Sequence, residues 1–168
     1  KDDDQDGFID ALDESCTASP EGAFDSAEAE CTGGKPGLRI IGWSFDADDP
    51  SSGTTDVHAY IDKGSMEETL KTENYIGRRS AASSKDLNRR DIRDYFADKY
   101  YSETHYSNIF KENRDNVYNF GFDFSVPFRE ENALLPGEQV QVQLYGIDLK
   151  GGDDNMPLTG SKTVTVPD

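Results

Sequence analysis

The stretch "DDDQDGFIDALD", residues 2–13, places six aspartates in twelve positions. Charges of one sign crowded this closely repel, so the composition makes sense where a cation sits among them. Counted from Asp2, carboxylates fall at the first, third, fifth, ninth and twelfth places of a loop: Asp2, Asp4, Asp6, Asp10 and Asp13. Gly7 stands sixth, where such a loop must turn sharply, Phe8 offers its backbone carbonyl at the seventh, and Ile9 is an apolar pin at the eighth. Ca2+ takes about six to eight oxygens in a flexible cage, and this spacing wraps successive oxygens around one ion. The last ligand is Asp13 rather than a glutamate, which shortens its bidentate reach and lowers the expected affinity. The alternative is an acidic run that is merely solvated.

Cys16 and Cys31 follow, with no His–Cys grouping that would suggest zinc. A disulfide between them would close a loop of about 15 residues, stabilise a poorly apolar stretch by about 3 kcal/mol in the chain-entropy model, and imply an oxidising compartment. Two free thiols are the alternative.

Other chemistry is thin. The two histidines, His58 and His105, have no Gly-x-Ser-x-Gly elbow or paired metal-binding histidine beside them. His58 lies on an alternating segment and reads as a polar-face residue. Paired carboxylates for glycoside hydrolysis are a matter of separation across a cleft, which sequence spacing does not give. The chain is read as non-catalytic. Asp46, Asp48 and Asp49, and likewise Asp153, Asp154 and Asn155, sit in turn-forming stretches and read as turn residues ahead of further calcium ligands. Tyr95, Tyr100, Tyr101, Tyr106 and Tyr118 either face a ligand, stacking on sugar rings or packing a partner, or seal a sheet edge.

The elements that must position these residues show in the hydrophobic period. Residues 1 to 35 are acidic and rich in small side chains, and they end on "TGGKPG", where we place a boundary between a calcium-binding, disulfide-closed segment (1–35) and a folded domain (36–168). Beyond it the period is two. Ile41, Trp43 and Phe45 share one face, with Trp43 expected in the core; Val57, Ala59 and Ile61 oppose His58 and Tyr60; Phe120, Phe122, Phe124 and Val126 line up. Val140, Val142 and Leu144 point inward while Gln139, Gln141, Gln143 and Tyr145 point out, and Val164 and Val166 belong to a closing strand. One stretch has helical spacing: Leu87, Ile92, Tyr95, Phe96, Lys99 and Tyr100 predict a helical insert over about 86–101. Short antiparallel strands without strand–helix alternation predict a mainly β fold, a β-sandwich.

Composition bounds the partners. Lys+Arg 17 against Asp+Glu 34 gives a net charge of −17, a field that repels nucleic acid and anionic membrane. Cations, neutral sugars and proteins remain. No apolar run approaches the roughly 18 residues of a transmembrane helix, and the start at Lys1 reads as a piece of a longer exported protein.

Two resemblances sharpen these expectations. "DxDxDGxxDxxDxxC", here Asp2, Asp4, Asp6, Gly7, Asp10, Asp13 and Cys16, resembles the thrombospondin type 3 repeat and, more distantly, the dockerin loop. It implies a calcium-stiffened extracellular linker. Residues 38–166, through "GWSFDADDPSSGTTDVHAYID", "NRRDIRDYF", "NFGFDFSVP" and "GEQVQVQLYGIDLKGGDDNMPLTGSKTVTV", resemble a sandwich module of bacterial secreted and cell-surface proteins. The departure lies in the middle, at 97–116, which is longer and richer in tyrosine than the usual connection. This second resemblance implies an immunoglobulin-like accessory domain, and fold analogy fixes no ligand. Together they predict an extracellular, secreted or surface-attached, calcium-binding structural or adhesion module whose partner is a protein or a glycan. The alternatives are a carbohydrate-binding accessory module of a polysaccharide-degrading enzyme, and a self-associating subunit of a surface filament or layer.

Overall fold

The computed structural model describes residues 20–45, 55–79, 89, 91–92, 94–95, 120–148 and 155–168. The chain is mainly β. Its strands are β1 (Glu21–Thr32), β2 (Lys35–Phe45), β3 (Asp56–Ile61), β4 (Tyr75–Arg79), β5 (Gly121–Pro127), β6 (Gln139–Ile147), β7 (Met156–Pro157) and β8 (Lys162–Thr165), with a four-residue helix α1 (Met66–Thr69) between β3 and β4. One antiparallel sheet has the order β1-β2-β5. The other has the order β4-β3-β6, with β7 and β8 both pairing the far side of β6.

Alternation makes the two sheets amphipathic, and their apolar faces meet. From the first sheet come Phe24, Leu38, Ile40, Phe122 and Val126; from the second come Val57, Ala59, Ile61, Ile76, Val140, Val142, Leu144 and Val164. Removing these side chains from water is the main force holding the layers face to face. β1–β2 and β3–β4 pair within a layer, and the chain crosses between layers from β2 to β3, from β4 to β5 and from β5 to β6, so that β2 pairs β5 in one sheet while β3 pairs β6 in the other. One lateral edge is closed by main-chain hydrogen bonds, Phe24 N to Thr159 O and Thr159 N to Gly22 O, both 2.9 Å. At the opposite edge Gly77 of β4 lies against the side chain of Val126 of β5.

The boundary expected at "TGGKPG" needs correction. Residues 21–32 form the longest strand among the described residues and pair with β2 along its whole length, from Glu21↔Phe45 to Thr32↔Lys35. Gly33 and Gly34 carry φ of 62° and 77°, the two successive positive values of a tight hairpin turn that glycine adopts without steric cost. The glycine cluster is a hairpin inside the sandwich. β1 escaped detection because "EGAFDSAEAECT" is built of residues with little strand preference, and Phe24 is its only large apolar side chain.

Trp43 is the second correction. It shares a face with Ile41, as expected, but that face points away from the core. The inward positions of β2 are Leu38, Ile40, Gly42 and Ser44, and Trp43 is half-buried on the outer surface. Gly42 holds an inward place because the Phe122 ring lies over it, 2.7 Å from where a Cβ would stand. Phe45 is buried with Phe120 in an edge-on pair at 4.9 Å, outside the main cluster.

The strand ends Glu21, Phe45, Asp56, Arg79, Gly121, Ile147 and Met156 gather at one end of the sandwich. A buried hydrogen bond from Thr55 Oγ1 to Ser44 Oγ, 2.9 Å, ties the two layers there. These ends border segments 1–19, 46–54, 80–119 and 149–154. Within the expected helical insert, Asp91, Ile92, Asp94 and Tyr95 are helical. Just before them, Arg89 forks onto Asp91 and reaches Asp25 of β1 at 3.2 Å.

Candidate functional site

The concentration of chemistry among the described residues lies on the outer face of the second sheet. Alternation in β3 turns His58 and Tyr60 away from the core, and register sets His58 opposite Arg78 of β4 and Tyr145 of β6. Tyr60 is opposite Tyr75 and Gln143. Four aromatic rings are thus brought together on a surface where an antiparallel sheet normally shows polar side chains. The Tyr60 ring stands between Tyr75, at 5.4 Å and 61°, and Tyr145, at 5.6 Å and 88°. His58 meets the Tyr75 ring at 5.6 Å. Edge-to-face contacts of this kind put ring edges against π faces and add about 0.5–1.5 kcal/mol per pair beyond area burial.

The surroundings fix the cluster. Arg129, from the β5–β6 connection, lies over the Tyr75 ring at 5.3 Å, a cation–π contact. Asn132 of the same connection donates to Glu73 O at 2.9 Å and Tyr75 O at 3.1 Å, which holds the start of β4. Thr69 of α1 accepts from Lys63 N at 3.0 Å and makes a side-chain hydrogen bond to Tyr145. Tyr145 was expected to point outward and does so, yet it is 3% exposed, against the Tyr60 ring and bonded to Thr69. His58, Tyr60 and Tyr75 are half-buried. Burial raises all three tyrosine hydroxyls above their ordinary range and lowers the His58 imidazole, with Asp56 opposing that fall and Arg78 adding to it. His58 is therefore a neutral ring near pH 7, fit to donate and accept hydrogen bonds.

The outer face of the first sheet carries a different arrangement. Arg39 of β2 forks onto both oxygens of Asp123 of β5. The Arg39 guanidinium holds the Asp123 carboxyl below its usual range, and hydrogen bonds from Ser125 and Thr32 do the same for Glu30. Each group here has a protein partner, which makes this a structural brace across the sheet.

The residues singled out from sequence are distributed as follows. Asp2, Asp4, Asp6, Phe8, Asp10, Asp13 and Cys16 lie outside the described residues, as do Tyr100, Tyr101, Tyr106 and the Asp46 and Asp153 turns. Cys31 is exposed near the end of β1. Tyr95 is 56% exposed. Asn155 accepts from the Asp148 amide at 3.2 Å, a turn role as expected. Among the described residues no group of three or more His, Cys, Asp or Glu side chains is placed to hold a metal, and no helix is long and apolar enough to cross a membrane. His58 and Tyr145 were read separately, and Tyr75 was not read at all. The signal that unites them is β4-β3-β6 pairing, which a single sequence does not display.

The fold and this face define a mainly β protein of two antiparallel sheets with an aromatic outer surface. No protein-family model, no curated protein and no solved structure matches the chain.

Proposed function

We propose that the chain is a non-catalytic, extracellular calcium-binding module, structural or adhesive in role, in which an ion held by residues 2–13 stiffens the approach to an immunoglobulin-like sandwich. The observation that carries the reading is the ligand spacing itself, Asp2, Asp4, Asp6, the Phe8 carbonyl, Asp10 and Asp13, with Gly7 at the turn. The way the chain continues supports it. Pro20 is buried and leads directly into β1, which is hydrogen-bonded to β2 and, through Thr159, to the other layer. Order imposed on the loop would pass into a strand anchored to both sheets. A Cys16–Cys31 disulfide would fasten the intervening stretch to the far end of β1. The passage of β2 to β3 and of β5 to β6 between layers supports the immunoglobulin-like assignment.

The test is thermal unfolding in chelator and in excess Ca2+. At a free concentration of about 100 times Kd a ligand that binds only the folded state adds about 2.7 kcal/mol. A melting temperature that rises with Ca2+, and fails to rise in Asp4→Asn/Asp6→Asn, supports the loop. Identical melts with and without the ion discard it.

A further inference from the structure

We propose that the outer face of the β4-β3-β6 sheet, centred on Tyr60 between Tyr75 and Tyr145 with His58 alongside, binds a neutral carbohydrate chain. This inference concerns residues remote from the acidic loop in sequence and stands whether or not that loop holds calcium.

Three observations point to the chemistry. Four aromatic rings occupy outward positions of neighbouring strands, and three of them keep part of their surface in water. The ring contacts stabilise the sheet, and the aromatic surface that still remains in water on this face is what a ligand would cover. The polar groups around the rings are planar or forked: Arg78 opposite His58, Arg129 over Tyr75, and Asp56 on the same strand as His58. Sugar rings present an apolar C–H face and adjacent hydroxyls, which suits an aromatic surface rimmed by guanidinium, carboxylate and imidazole groups that both donate and accept.

Charge narrows the class. The net charge of −17 repels polyanions, and Arg78 and Arg129 oppose a cation seated on the rings. A neutral polyhydroxylated ligand meets neither penalty. Ring geometry narrows it again. Tyr60 and Tyr75, the two tyrosines of the cluster that keep surface in water, stand at 61° to one another and share no common plane, while Tyr145 is buried beside Tyr60. A flat crystalline polysaccharide would need coplanar rings, so the occupant is a single soluble chain.

The experiment is native affinity electrophoresis of the full chain, in chelator and in calcium, through gels carrying one soluble neutral polysaccharide each: mixed-linkage β-glucan, galactomannan, arabinoxylan or dextran. Heparin gels serve as the polyanion. The expected result is retardation by at least one neutral polymer and none by heparin. Binding should weaken about tenfold or more, equivalent to about 1.4 kcal/mol, in Tyr60→Ala. Arg78→Ala, on the exposed rim, should weaken it less, and Tyr95→Ala should bind as wild type. Near-UV circular dichroism checks folding, and Tyr75→Leu with Arg78→Ala replaces Tyr60→Ala if that variant does not fold. No retardation of the wild type by any neutral polymer overturns the proposal. So does wild-type binding by folded variants of this face, or retardation by heparin alone. Because the gels are run both in chelator and in calcium, failure of the proposed calcium loop and failure of sugar binding are read separately.

Discussion

Replacing Gly77 by alanine tests the stacking of the two layers at one point. Gly77 lies on β4 opposite Ala59, facing inward, and an added Cβ would stand 2.8 Å from Val126 Cγ1 and 3.1 Å from Val126 Cβ across the layers. Carbon atoms in good contact are about 3.5–4.0 Å apart, so the new methyl overlaps a side chain of β5 by nearly 1 Å. Val126 is 5% exposed and has little room to retreat. Overpacking of this kind costs about 1–3 kcal/mol, against which the stiffer denatured chain returns about 0.4–1 kcal/mol. The net loss for Gly77→Ala is about 0.5–2 kcal/mol, a fall in melting temperature of about 1–8 °C for a chain of this size. Val126→Ala alone removes two buried methyl groups and should cost about 2 kcal/mol, with a cavity contribution included. In the double variant the methyl added at position 77 fills part of the space that Val126 vacates. Its loss should fall short of the sum of the single losses by about 1 kcal/mol. Urea unfolding followed by fluorescence of Trp43, the single tryptophan, gives all three values. Strict additivity, or a Gly77→Ala protein as stable as wild type, would refute the packing of β4 against β5.

Two further outcomes are expected. His58 is held below its ordinary value of 6.5 by burial, so the unfolded chain takes up a proton first as the pH falls. Its contribution to stability is complete above about pH 6.5 and is lost as the pH falls from there toward the folded-state pKa; melting temperature against pH should slope through this window, and His58→Gln should flatten the slope. The proposed Cys16–Cys31 disulfide predicts no titratable thiol in the unfolded, unreduced protein and two after reduction, read as mass added by an alkylating reagent; two thiols without reduction discard it.

What the sequence discloses depends on whether a residue's position follows from its own strand or from its neighbours'. Val57, Ala59 and Ile61, and Val140, Val142 and Leu144, announce their inward face because alternation inside one strand is unbroken, and all six are buried. "LRIIGWSF" is different, because Ile40 and Ile41 are adjacent and either parity is defensible. The choice is made by β5: Phe124 pairs Ile40, and Phe122 pairs Gly42 and covers it, so Trp43 is turned outward by residues some eighty positions away. β1 extends the same logic. Its small and acidic side chains would not make a strand alone, and it forms because a Gly-Gly turn delivers it to β2 and Phe24 reaches the common core. The aromatic face is the furthest case. His58 and Tyr60 share a polar face in sequence and Tyr145 shows one of its own, but nothing joins them to each other or to Tyr75 until β3 is paired on both sides. A bulge between Ala59 and Tyr60 then decides that Tyr75, and not Ile76, joins them. A one-residue slip of β4 would put Ile76 on the outer face and Tyr75 against the core. The register that packs the sandwich is therefore the same feature that assembles the proposed sugar-binding surface, and a substitution that shifts β4 should damage stability and binding together.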